Sequence, residues 1–262
     1  MSKRLEGKVA IVTGASGGQG AATAALFVAE GANVVLTDLS EPSSSLINSM
    51  GSRALFLRHD VSSSSDWQEV VTHTREQFGK LDVLINNAGV YRPGALVDTD
   101  DALWDFHYRV NQLGVFLGMR AVVQTMPQAE GGSIVNVSSN AGIGHVPGIF
   151  SYATTKWAVR GMSKLAASEL AARGIRVNVI FPGIVDTPML GENTPERLEA
   201  YKNMIPMRII GTPEEIARLS LFLASDEASY ITGGNRRGRW YRIAKELHSR
   251  RPRKNSPYLL RC

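Results

Sequence analysis

Tyr152 and Lys156 stand four residues apart in a segment whose apolar residues recur at helical spacing as far as Arg173. Residues at positions i and i+4 lie on one face of a helix, so the phenol and the ammonium can act together. A phenol has an ordinary pKa of about 10 and accepts protons poorly at neutral pH. Because a neighbouring cation favours the phenolate, this spacing predicts a proton-exchanging acid/base at Tyr152.

A serine precedes this pair at a position that brings it to the same place. Ser139 closes a Ser-Ser pair directly after the apolar run Ile134–Val137, which is typical of a buried strand. The carboxyl ends of strands in an open parallel sheet face the ligand crevice, so we expect Ser139 to hydrogen-bond a substrate oxygen beside Tyr152. Tyr241 and Lys245 share the Tyr/Lys spacing without such a serine, so spacing alone does not identify a site.

A glycine-rich segment near the start of the chain is suited to a phosphate group. Thr13–Gly20 reads Thr-Gly-Ala-Ser-Gly-Gly-Gln-Gly and lies between the apolar run Val9–Val12 and the helical pattern Ala21–Glu30. Small residues let the backbone approach a pyrophosphate, and the following helix offers N–H groups and the positive end of its dipole. The predicted cofactor-binding residues of this loop are Gly14, Ser16, Gly18, Gln19 and Gly20.

The residue after the second apolar run bears on the choice of cofactor. Asn33–Thr37 ends at Asp38, 18 residues beyond Gly20. A carboxylate there can accept hydrogen bonds from both ribose hydroxyls of adenosine and would repel a 2′-phosphate. No Arg or Lys stands in Thr13–Gly20 to offset that charge. Asp38 therefore predicts a preference for NAD over NADP, and the adjoining Leu39 is a further predicted cofactor-binding residue.

Polar and small residues also follow the third and fourth apolar runs. Asp60 and Val61 follow the third, while Asn87, Ala88 and Gly89 follow the fourth. An Asp at a strand end can reach the adenine amino group, and the Asn-Ala-Gly turn can bring backbone against the cofactor. Each feature alone is also typical of a turn, but their recurrence at successive strand ends favours a cofactor crevice.

Short apolar runs alternate with helical patterns along most of the chain. The runs are Val9–Val12, Asn33–Thr37, Ala54–Leu57, Val83–Ile85, Ile134–Val137 and Val177–Phe181. Near-continuous apolar strands separated by helices predict a parallel sheet that is covered on both faces. We therefore expect one doubly wound, Rossmann-type α/β domain over residues 1–235.

Taken in order, these motifs resemble the short-chain dehydrogenase/reductase family over residues 5 to about 235. The residues that carry the resemblance are Thr13–Gly20, Asn86–Gly89, Asn111, Ser139 and Tyr152-x-x-x-Lys156. The resemblance implies a catalytic tetrad in which Tyr152 exchanges the proton and Ser139 orients and polarises the substrate carbonyl. It also implies that Lys156 binds the nicotinamide ribose and lowers the pKa of the tyrosine, while Asn111 holds a water in a proton relay.

The segment after the sixth run resembles the part of the family that holds the nicotinamide carboxamide. The residues implied to make this contact are Pro182, Gly183, Val185 through its backbone, and Thr187 through its hydroxyl. One residue departs from the family pattern: Gln19 stands where a small aliphatic residue is usual. Its amide either hydrogen-bonds the pyrophosphate or faces solvent, and the sequence does not decide between the two.

The resemblance implies NAD-dependent interconversion of a secondary alcohol and its ketone. Within the family, Gly132–Lys164 is most similar to bacterial hydroxysteroid and cyclic-alcohol dehydrogenases. Two alternatives stay open. A 3-oxoacyl-carrier-protein reductase commonly uses NADPH, which Asp38 disfavours, and a non-catalytic dinucleotide-binding protein would have no need of an intact tetrad. The loops Tyr91–Leu96, Ala141–Gly148 and Met189–Arg208, the last a predicted lid, are expected to select a substrate that the sequence does not name.

Composition disfavours several other classes of protein. The chain has 262 residues, of which 44% are hydrophobic and 20% charged, as expected for a globular domain. Its single cysteine, Cys262, can close no internal disulfide, and its five histidines lack metal-ligand spacing, so we expect no metal site. No apolar run approaches the roughly 20 residues of a membrane helix, and no signal peptide is evident. We expect a cytoplasmic protein without a membrane partner.

The last 27 residues form a separate, basic tail. Residues 236–262 hold ten Lys or Arg and one Glu, whereas residues 1–235 hold 19 basic and 23 acidic residues. The family continues after Asn235 with an apolar strand and an Asp-Gly-Gly turn, but this chain reads Arg-Arg-Gly-Arg-Trp-Tyr. We expect the last strand to be lost or altered and the tail to be disordered. Permitted codons read from their second base give Val-Val-Asp-Gly-Gly-Ile, so a shifted reading frame is a hypothesis that resequencing tests.

The expected partners are a small-molecule alcohol or ketone and further copies of the chain. The resemblance implies a homo-oligomer, a tetramer or a dimer, formed through the helices that contain Asn111 and Tyr152. Blocks of like charge are more often solvated tails than nucleic-acid sites, so we expect no nucleic-acid partner.

Overall fold

The structure, a computed structural model, describes residues 3–126, 131–191 and 194–237. Its centre is a seven-stranded sheet in the order β3-β2-β1-β4-β5-β6-β7, in which every neighbouring pair is parallel. The strands are β1 Val9–Thr13, β2 Asn33–Asp38, β3 Ala54–Arg58, β4 Val83–Asn86, β5 Gly132–Val137, β6 Ile175–Phe181 and β7 Asn235–Arg237. The doubly wound sheet predicted from the alternating apolar runs is confirmed, and each of the six runs lies within a strand.

Helices cover both faces of the sheet. They are α1 Gly18–Ala29, α2 Ser44–Met50, α3 Ser64–Phe78, α4 Asp101–His107, α5 Gly114–Val123, α6 Phe150–Leu170, α7 Pro195–Met204 and α8 Pro213–Ala224, and a π-helical turn, Tyr108–Leu113, joins α4 to α5. On one face, Phe27 of α1 and Leu221 of α8 pack in a core under β1 and β2. On the other, Trp67 of α3, Val122 of α5 and Val159 of α6 pack in a second core. Burial on both faces explains why the strands are apolar without alternation.

Local sequence signals determine where several helices begin. Ser63 accepts a hydrogen bond from a backbone N–H in the first turn of α3, and Asp100 does the same for α4. Thr212 and Glu215 form a reciprocal capping box at the start of α8, where Pro213 occupies the first helical position. These caps satisfy N–H groups that have no partner inside a helix. The caps therefore fix the residue at which each of these helices begins.

The last strand is altered rather than lost. Asn235–Arg237 pairs in parallel with β6, in the register Val179↔Asn235 to Phe181↔Arg237. The preceding residues hold it there, because the Gly233 N–H donates to the Val177 carbonyl at 2.8 Å and the Asn178 amide donates to the Ile231 carbonyl at 2.8 Å. Backbone groups along the edge of β6 pair with any sequence, so the absence of the apolar pattern does not prevent a short strand.

The predictions that concern residues 238–262, including tail disorder and the Tyr241/Lys245 pair, lie outside the described residues. Within the described ranges, no helix has the length and apolar character needed to cross a membrane. The same ranges contain no group of three or more His, Cys, Asp or Glu side chains that could hold a metal ion.

The strand order places the crevice. Connections from β1 lead to β2 and β3 on one side, while β4 pairs with β1 on the other side, so the order reverses between β1 and β4. The carboxyl ends of strands open a crevice at such a switch point. The segments after β1, β2, β4, β5 and β6 carry most of the predicted cofactor-binding residues, and Asp60 and Val61 follow β3.

Close packing of α5 on the sheet yields a stability prediction. A Cβ at Gly118 would lie 2.5 Å from Asn86 Oδ1 and 2.7 Å from the Trp67 ring, whereas a Cβ at Gly161 of α6 meets nothing within 4 Å. Gly118→Ala should lower the free energy of unfolding by about 1–3 kcal/mol through overpacking. The matched Gly161→Ala should raise it by roughly 0.5–1 kcal/mol by restricting the unfolded chain. Urea unfolding measures both, and equal stability of the two variants would contradict the packing.

Candidate active site

The glycine loop has the backbone conformation and the space that a dinucleotide requires. Gly14 and Gly18 have φ values of +65° and +52°, in the left-handed region that favours glycine. A Cβ at Gly20 would lie 2.1 Å from the Gly14 carbonyl oxygen and 2.7 Å from Asn87 Nδ2, so only glycine fits. The residues of this loop therefore leave backbone, not side chains, at the surface that a pyrophosphate would approach.

The helix after the loop has no side-chain cap. Gly17 precedes α1 and offers no hydroxyl or carboxylate to its first-turn N–H groups, whereas Ser63, Asp100 and Thr212 cap α3, α4 and α8. First-turn N–H groups without a side-chain partner, at the positive end of a helix dipole, suit an anion. The start of α1 thus fits the phosphate groups of a nicotinamide dinucleotide.

Carboxylates follow two neighbouring strands, and one of them, Asp38, contacts the glycine loop. Asp38 Oδ2 accepts a hydrogen bond from the Ser16 N–H at 3.1 Å, and Asp38 Oδ1 accepts one from the Leu39 N–H at 2.7 Å. Asp60 Oδ1 accepts two bonds at 2.8 Å, from the N–H and the hydroxyl of Ser62. Both acids are thus held in fixed orientations at the ends of β2 and β3, where sequence reasoning expected the adenosine half of the cofactor.

The side chain of Thr13 joins the ends of β1 and β4. Its Oγ1 accepts hydrogen bonds from the N–H groups of Asn87 and Ala88, both at 3.0 Å. The Asn87 amide in turn donates to the Thr13 carbonyl at 2.9 Å and to the Gly14 carbonyl at 3.1 Å. This junction, which we call the Thr13 clasp, fixes the Asn-Ala-Gly turn against the glycine loop. Sequence reasoning identified Thr13 only as part of a phosphate loop.

Beyond the clasp, Asn111 and Lys156 converge on Gly89. A Cβ at Gly89 would lie 3.3 Å from Asn111 Oδ1 and 3.5 Å from Lys156 Nζ. Asn111 is in the π-helical turn, and its amide donates to the Val90 carbonyl at 2.9 Å and accepts from the Val90 N–H at 2.8 Å. Single π-helical turns occur frequently at functional sites. Here the turn places a buried amide against the loop after β4.

Tyr152, Lys156 and Ser139 come together at the far wall of the crevice. Lys156 Nζ donates to the Val137 carbonyl at 3.1 Å and lies 5.7 Å from the centre of the Tyr152 ring. Ser139 lies at the end of β5, where its Oγ accepts from the Ala141 N–H at 3.1 Å and donates to Asn140 Oδ1 at 3.0 Å. The structure therefore brings the four residues of the predicted tetrad to one end of the sheet.

Burial shapes the protonation of this cluster. Burial raises the pKa of Tyr152, a hydrogen bond with Ser139 lowers it, and the neighbouring Tyr91 raises it. The overall shift is upward, so the lowering of this pKa by Lys156 that the resemblance implies is not seen in this structure. Burial also lowers the pKa of Lys156 to about 8. An ammonium removed from water becomes easier to deprotonate, because its charged form loses solvation.

The segment after β6 borders both the glycine loop and the Ser139 turn. The Asn140 N–H donates to the Pro182 carbonyl at 2.9 Å, and a Cβ at Gly18 would lie 3.3 Å from Thr187 Cγ2. Gly211 pairs with the residues on either side of Val185, since it donates to the Ile184 carbonyl and accepts from the Asp186 N–H. In such an extended pairing, the backbone groups of Val185 point away from Gly211. Gly183 follows Pro182 in the same segment.

Aromatic side chains line the mouth of the crevice. The Tyr91 ring meets the Tyr152 ring edge to face, with centres 5.0 Å apart and an angle of 84°. Arg197 and Tyr201 of α7 act electrostatically on Tyr91: Tyr201 raises its pKa and Arg197 lowers it, while burial is the largest influence and raises it. The predicted lid Met189–Arg208 thus contains a helix that approaches the residue beside Tyr152.

The Gln19 side chain, which departs from the family pattern, is partly buried. Its Oε1 is buried and finds no hydrogen-bond partner among the described residues. The two alternatives for the amide, a hydrogen bond to the pyrophosphate or exposure to solvent, stay predictions. Since an amide oxygen and a pyrophosphate oxygen are both acceptors, any hydrogen bond from Gln19 to the pyrophosphate must use its NH₂ group.

Sequence reasoning missed two buried residues at this site. The His107 Nδ1 and the Ser151 Oγ are 2.8 Å apart, and the His107 ring lies 5.9 Å from the Tyr152 ring. A signal was present, because His107 stands four residues before Asn111 and Ser151 directly precedes Tyr152. A histidine in a helix is common in protein interiors, so its spacing alone gave no reason to select it.

The buried lysine predicts a rise of stability with pH in the nucleotide-free protein. Between pH 8 and about 10 the unfolded chain holds a proton on Lys156 that the folded chain has lost, so the free energy of unfolding should increase with pH. The slope from this residue is at most about 1.4 kcal/mol per pH unit. Lys156→Met should remove it. Urea unfolding of both proteins from pH 7.5 to 9.5 measures the difference, and parallel curves would show that Lys156 is solvated.

Comparison with known proteins identifies the family. A family model described as enoyl-(acyl carrier protein) reductase matches residues 14–236. The chain is 43% identical to 2,5-dichloro-2,5-cyclohexadiene-1,4-diol dehydrogenase of Sphingobium indicum, covering 89% of this chain and 95% of that protein. It is 44% identical to 3-oxoacyl-[acyl-carrier-protein] reductase of Thermotoga maritima (88% and 95%) and 42% identical to 3-alpha-(or 20-beta)-hydroxysteroid dehydrogenase of Mycobacterium tuberculosis (89% and 88%). The chain belongs to the short-chain dehydrogenase/reductase family.

Proposed function

We propose that the protein is an NAD(H)-dependent oxidoreductase that interconverts a cyclic secondary alcohol and its ketone. The observation that carries the proposal is the meeting of Tyr152, Lys156, Ser139 and Asn111 at the crevice that the glycine loop borders. The family membership and the relatives named for a cyclic diol and for hydroxysteroids support alcohol oxidation. A cyclic substrate is also consistent with the aromatic mouth formed by Tyr91 and Tyr152.

Each residue of the tetrad has a separate role in the reaction. In the oxidative direction, Tyr152 takes the proton of the substrate hydroxyl while the Ser139 hydroxyl donates a hydrogen bond to the substrate oxygen. Lys156, which the Val137 carbonyl anchors, binds the nicotinamide ribose. Asn111 keeps the loop at Val90 in place and holds the water of a proton relay. The bound nicotinamide ring supplies the hydride acceptor.

The cofactor is proposed to extend along the carboxyl ends of the strands. The pyrophosphate lies on the glycine loop, the adenosine ribose meets the carboxylate at the end of β2, and the adenine meets the end of β3. The nicotinamide half lies between the β4 turn and the segment after β6. The proposed contacts, in chain order, are Gly14, Ser16, Gly18, Gln19, Gly20, Asp38, Leu39, Asp60, Val61, Asn87, Ala88, Gly89, Tyr152, Lys156, Pro182, Gly183, Val185 and Thr187.

A second candidate is 3-oxoacyl-carrier-protein reduction, which one 44%-identical relative favours. The two candidates differ in their cofactor. The Asp38 carboxylate is fixed beside the Ser16 N–H, where it would repel the 2′-phosphate of NADPH. A third candidate, a non-catalytic dinucleotide-binding protein, gives no reason for Tyr152 and Lys156 to lie together beside Ser139. Both alternatives are distinguished by the assays below.

The protein is further proposed to be a cytoplasmic homo-oligomer, a tetramer or a dimer. Large apolar side chains are exposed on the outer sides of α5 and α6, among them Phe116, Trp157 and Leu165. Burying such side chains between copies of the chain would remove them from water. Sedimentation analysis of the purified protein determines the state, and a monomer at micromolar concentration would contradict the proposal. No nucleic-acid or membrane partner is proposed.

Removing the Asp38 carboxylate should change the choice of cofactor. Asp38→Ala should lower kcat/KM for NAD about 10- to 100-fold, since two hydrogen bonds to the ribose are lost, and should raise kcat/KM for NADP. The exposed Glu76→Ala on α3 is the control and should alter neither. The measurement is the ratio of kcat/KM values with the two cofactors. A wild-type ratio that favours NADP would instead support the carrier-protein reductase.

Removing the Tyr152 hydroxyl should separate binding from turnover. Tyr152→Phe should lower kcat by about 100- to 10,000-fold, because the group that exchanges the proton is gone, while the NADH Kd changes less than twofold. Tyr230→Phe, at a fully exposed tyrosine, should match the wild type. NADH fluorescence gives the Kd, and loss of nicotinamide absorbance with a panel of cyclic ketones and ketosteroids gives kcat. Near-normal turnover by Tyr152→Phe would overturn the assignment.

A further inference from the structure

We propose that His107, a buried residue outside the tetrad, is a positioning residue that joins the loop after β4 to the first turn of α6 and thereby sets the orientation of Tyr152. The inference rests on the proposed function, in which Tyr152 is the acid/base. It assigns a role to a histidine that neither the sequence motifs nor the proposed reaction uses.

The hydrogen bonds of His107 link two segments that are distant in the sequence. Nε2 accepts the Arg92 backbone N–H at 3.0 Å, and Nδ1 lies 2.8 Å from the Ser151 hydroxyl oxygen. A ring nitrogen that accepts an N–H carries no proton, so in the neutral ring the proton is on Nδ1, which donates to Ser151. The imidazole is therefore held on both sides, in one tautomer.

The two partners of His107 each adjoin a tyrosine at the mouth of the crevice. Arg92 follows Tyr91, and Ser151 precedes Tyr152. These two tyrosine rings meet edge to face at 5.0 Å, and the His107 ring stands 5.9 Å from the Tyr152 ring at an angle of 71°. Any displacement of the imidazole would therefore move both neighbours of the tyrosine pair.

A second connection holds the same two segments a few residues away. The Gly94 N–H donates to the Gly148 carbonyl at 2.8 Å, and the Phe150 N–H donates to the Gly94 carbonyl at 2.8 Å. These bonds fix the base of the loop, whereas His107 fixes the part next to the tyrosines. The start of α6 has no side-chain cap at Ile149, so the His107–Ser151 bond supplies a side-chain contact within its first turn.

The charge state of His107 agrees with this arrangement. Burial lowers its pKa, the Leu103 backbone raises it through a hydrogen bond, and the charges of Arg92 and Lys156 lower it. The ring is fully buried, so it is neutral at pH 7. A protonated ring would present an N–H donor to the Arg92 N–H donor and break that bond. The bridge therefore requires the neutral imidazole.

The first experiment detects the tautomer without any substrate. In ¹⁵N-labelled protein with NAD bound, two-bond ¹H–¹⁵N correlation spectra at pH 7 should show one histidine as the neutral Nδ1–H form, and His107→Gln should remove its signals. An Nε2–H tautomer at His107, or a protonated ring at pH 7, would overturn the bridge.

The second experiment asks whether the bridge acts on Tyr152. In the NAD complex, the ¹³Cζ resonance of Tyr152 reports its titration, and His107→Phe should shift the midpoint while the NADH Kd changes less than twofold. His107→Gln, which keeps an acceptor for the Arg92 N–H, should restore most of the wild-type midpoint. Ser151→Ala removes the other end of the bridge and is the milder variant should His107→Phe fold poorly.

Kinetics complete the test where a substrate is turned over. His107→Phe should lower kcat about tenfold per NADH-binding site and shift the pH profile of kcat, and combining it with Ser151→Ala should cost no more. A lower Tm with an unchanged Tyr152 titration and pH profile would show that His107 is only structural and would overturn the proposal. Absence of turnover by the wild type on every substrate would count against the proposed function alone, because the two NMR measurements need no reaction.

Discussion

The Thr13 clasp is the contact on which the crevice depends. One hydroxyl accepts two backbone N–H groups at the point where the strand order reverses, so the β4 turn cannot separate from the glycine loop without breaking both partly buried hydrogen bonds. The Gly89 backbone, against which Asn111 and Lys156 converge, directly follows those two residues. The Thr13 hydroxyl, together with the Asn87 amide that bonds the Thr13 and Gly14 carbonyls, therefore sets the distance between the phosphate end and the catalytic end of the site.

Burying the Lys156 ammonium is unfavourable for the stability of the fold. An ammonium that is almost fully buried is held by a backbone carbonyl and by no carboxylate within the described contacts, and burial brings its pKa close to neutrality. Such a charge is stable only where the surrounding structure enforces it. The apolar cores on both faces of the sheet hold the surrounding backbone in place. As a result, a cation is positioned close to the Tyr152 phenol at the reacting end of the crevice.

The fold was predictable because its strands are buried on both faces. Continuous apolar runs such as Val9–Val12 indicate a parallel sheet that is covered on both faces. In that architecture, residues at strand ends such as Asp38 and Ser139 lie at one edge of the sheet. The contacts that the sequence does not reveal join distant segments. Pairing of Asn235–Arg237 depends on the backbone of β6, and the His107–Ser151 bond joins residues 44 positions apart. Neither contact can be predicted from a local sequence pattern.

The π-helical turn between α4 and α5 has a consequence for how this region can change in evolution. A π turn contains one residue more than an α-helical turn, so it rotates everything that follows by about 100° relative to a continuous α-helix. Loss of one residue between Tyr108 and Leu113 would turn Asn111 away from Val90 or carry His107 away from Ser151. Since α5 is held by its close packing at Gly118 against Trp67 and Asn86, the change would fall mainly on α4 and on the contact of His107 with Ser151. Insertions and deletions here would therefore disturb the catalytic end of the crevice before they disturb the sheet.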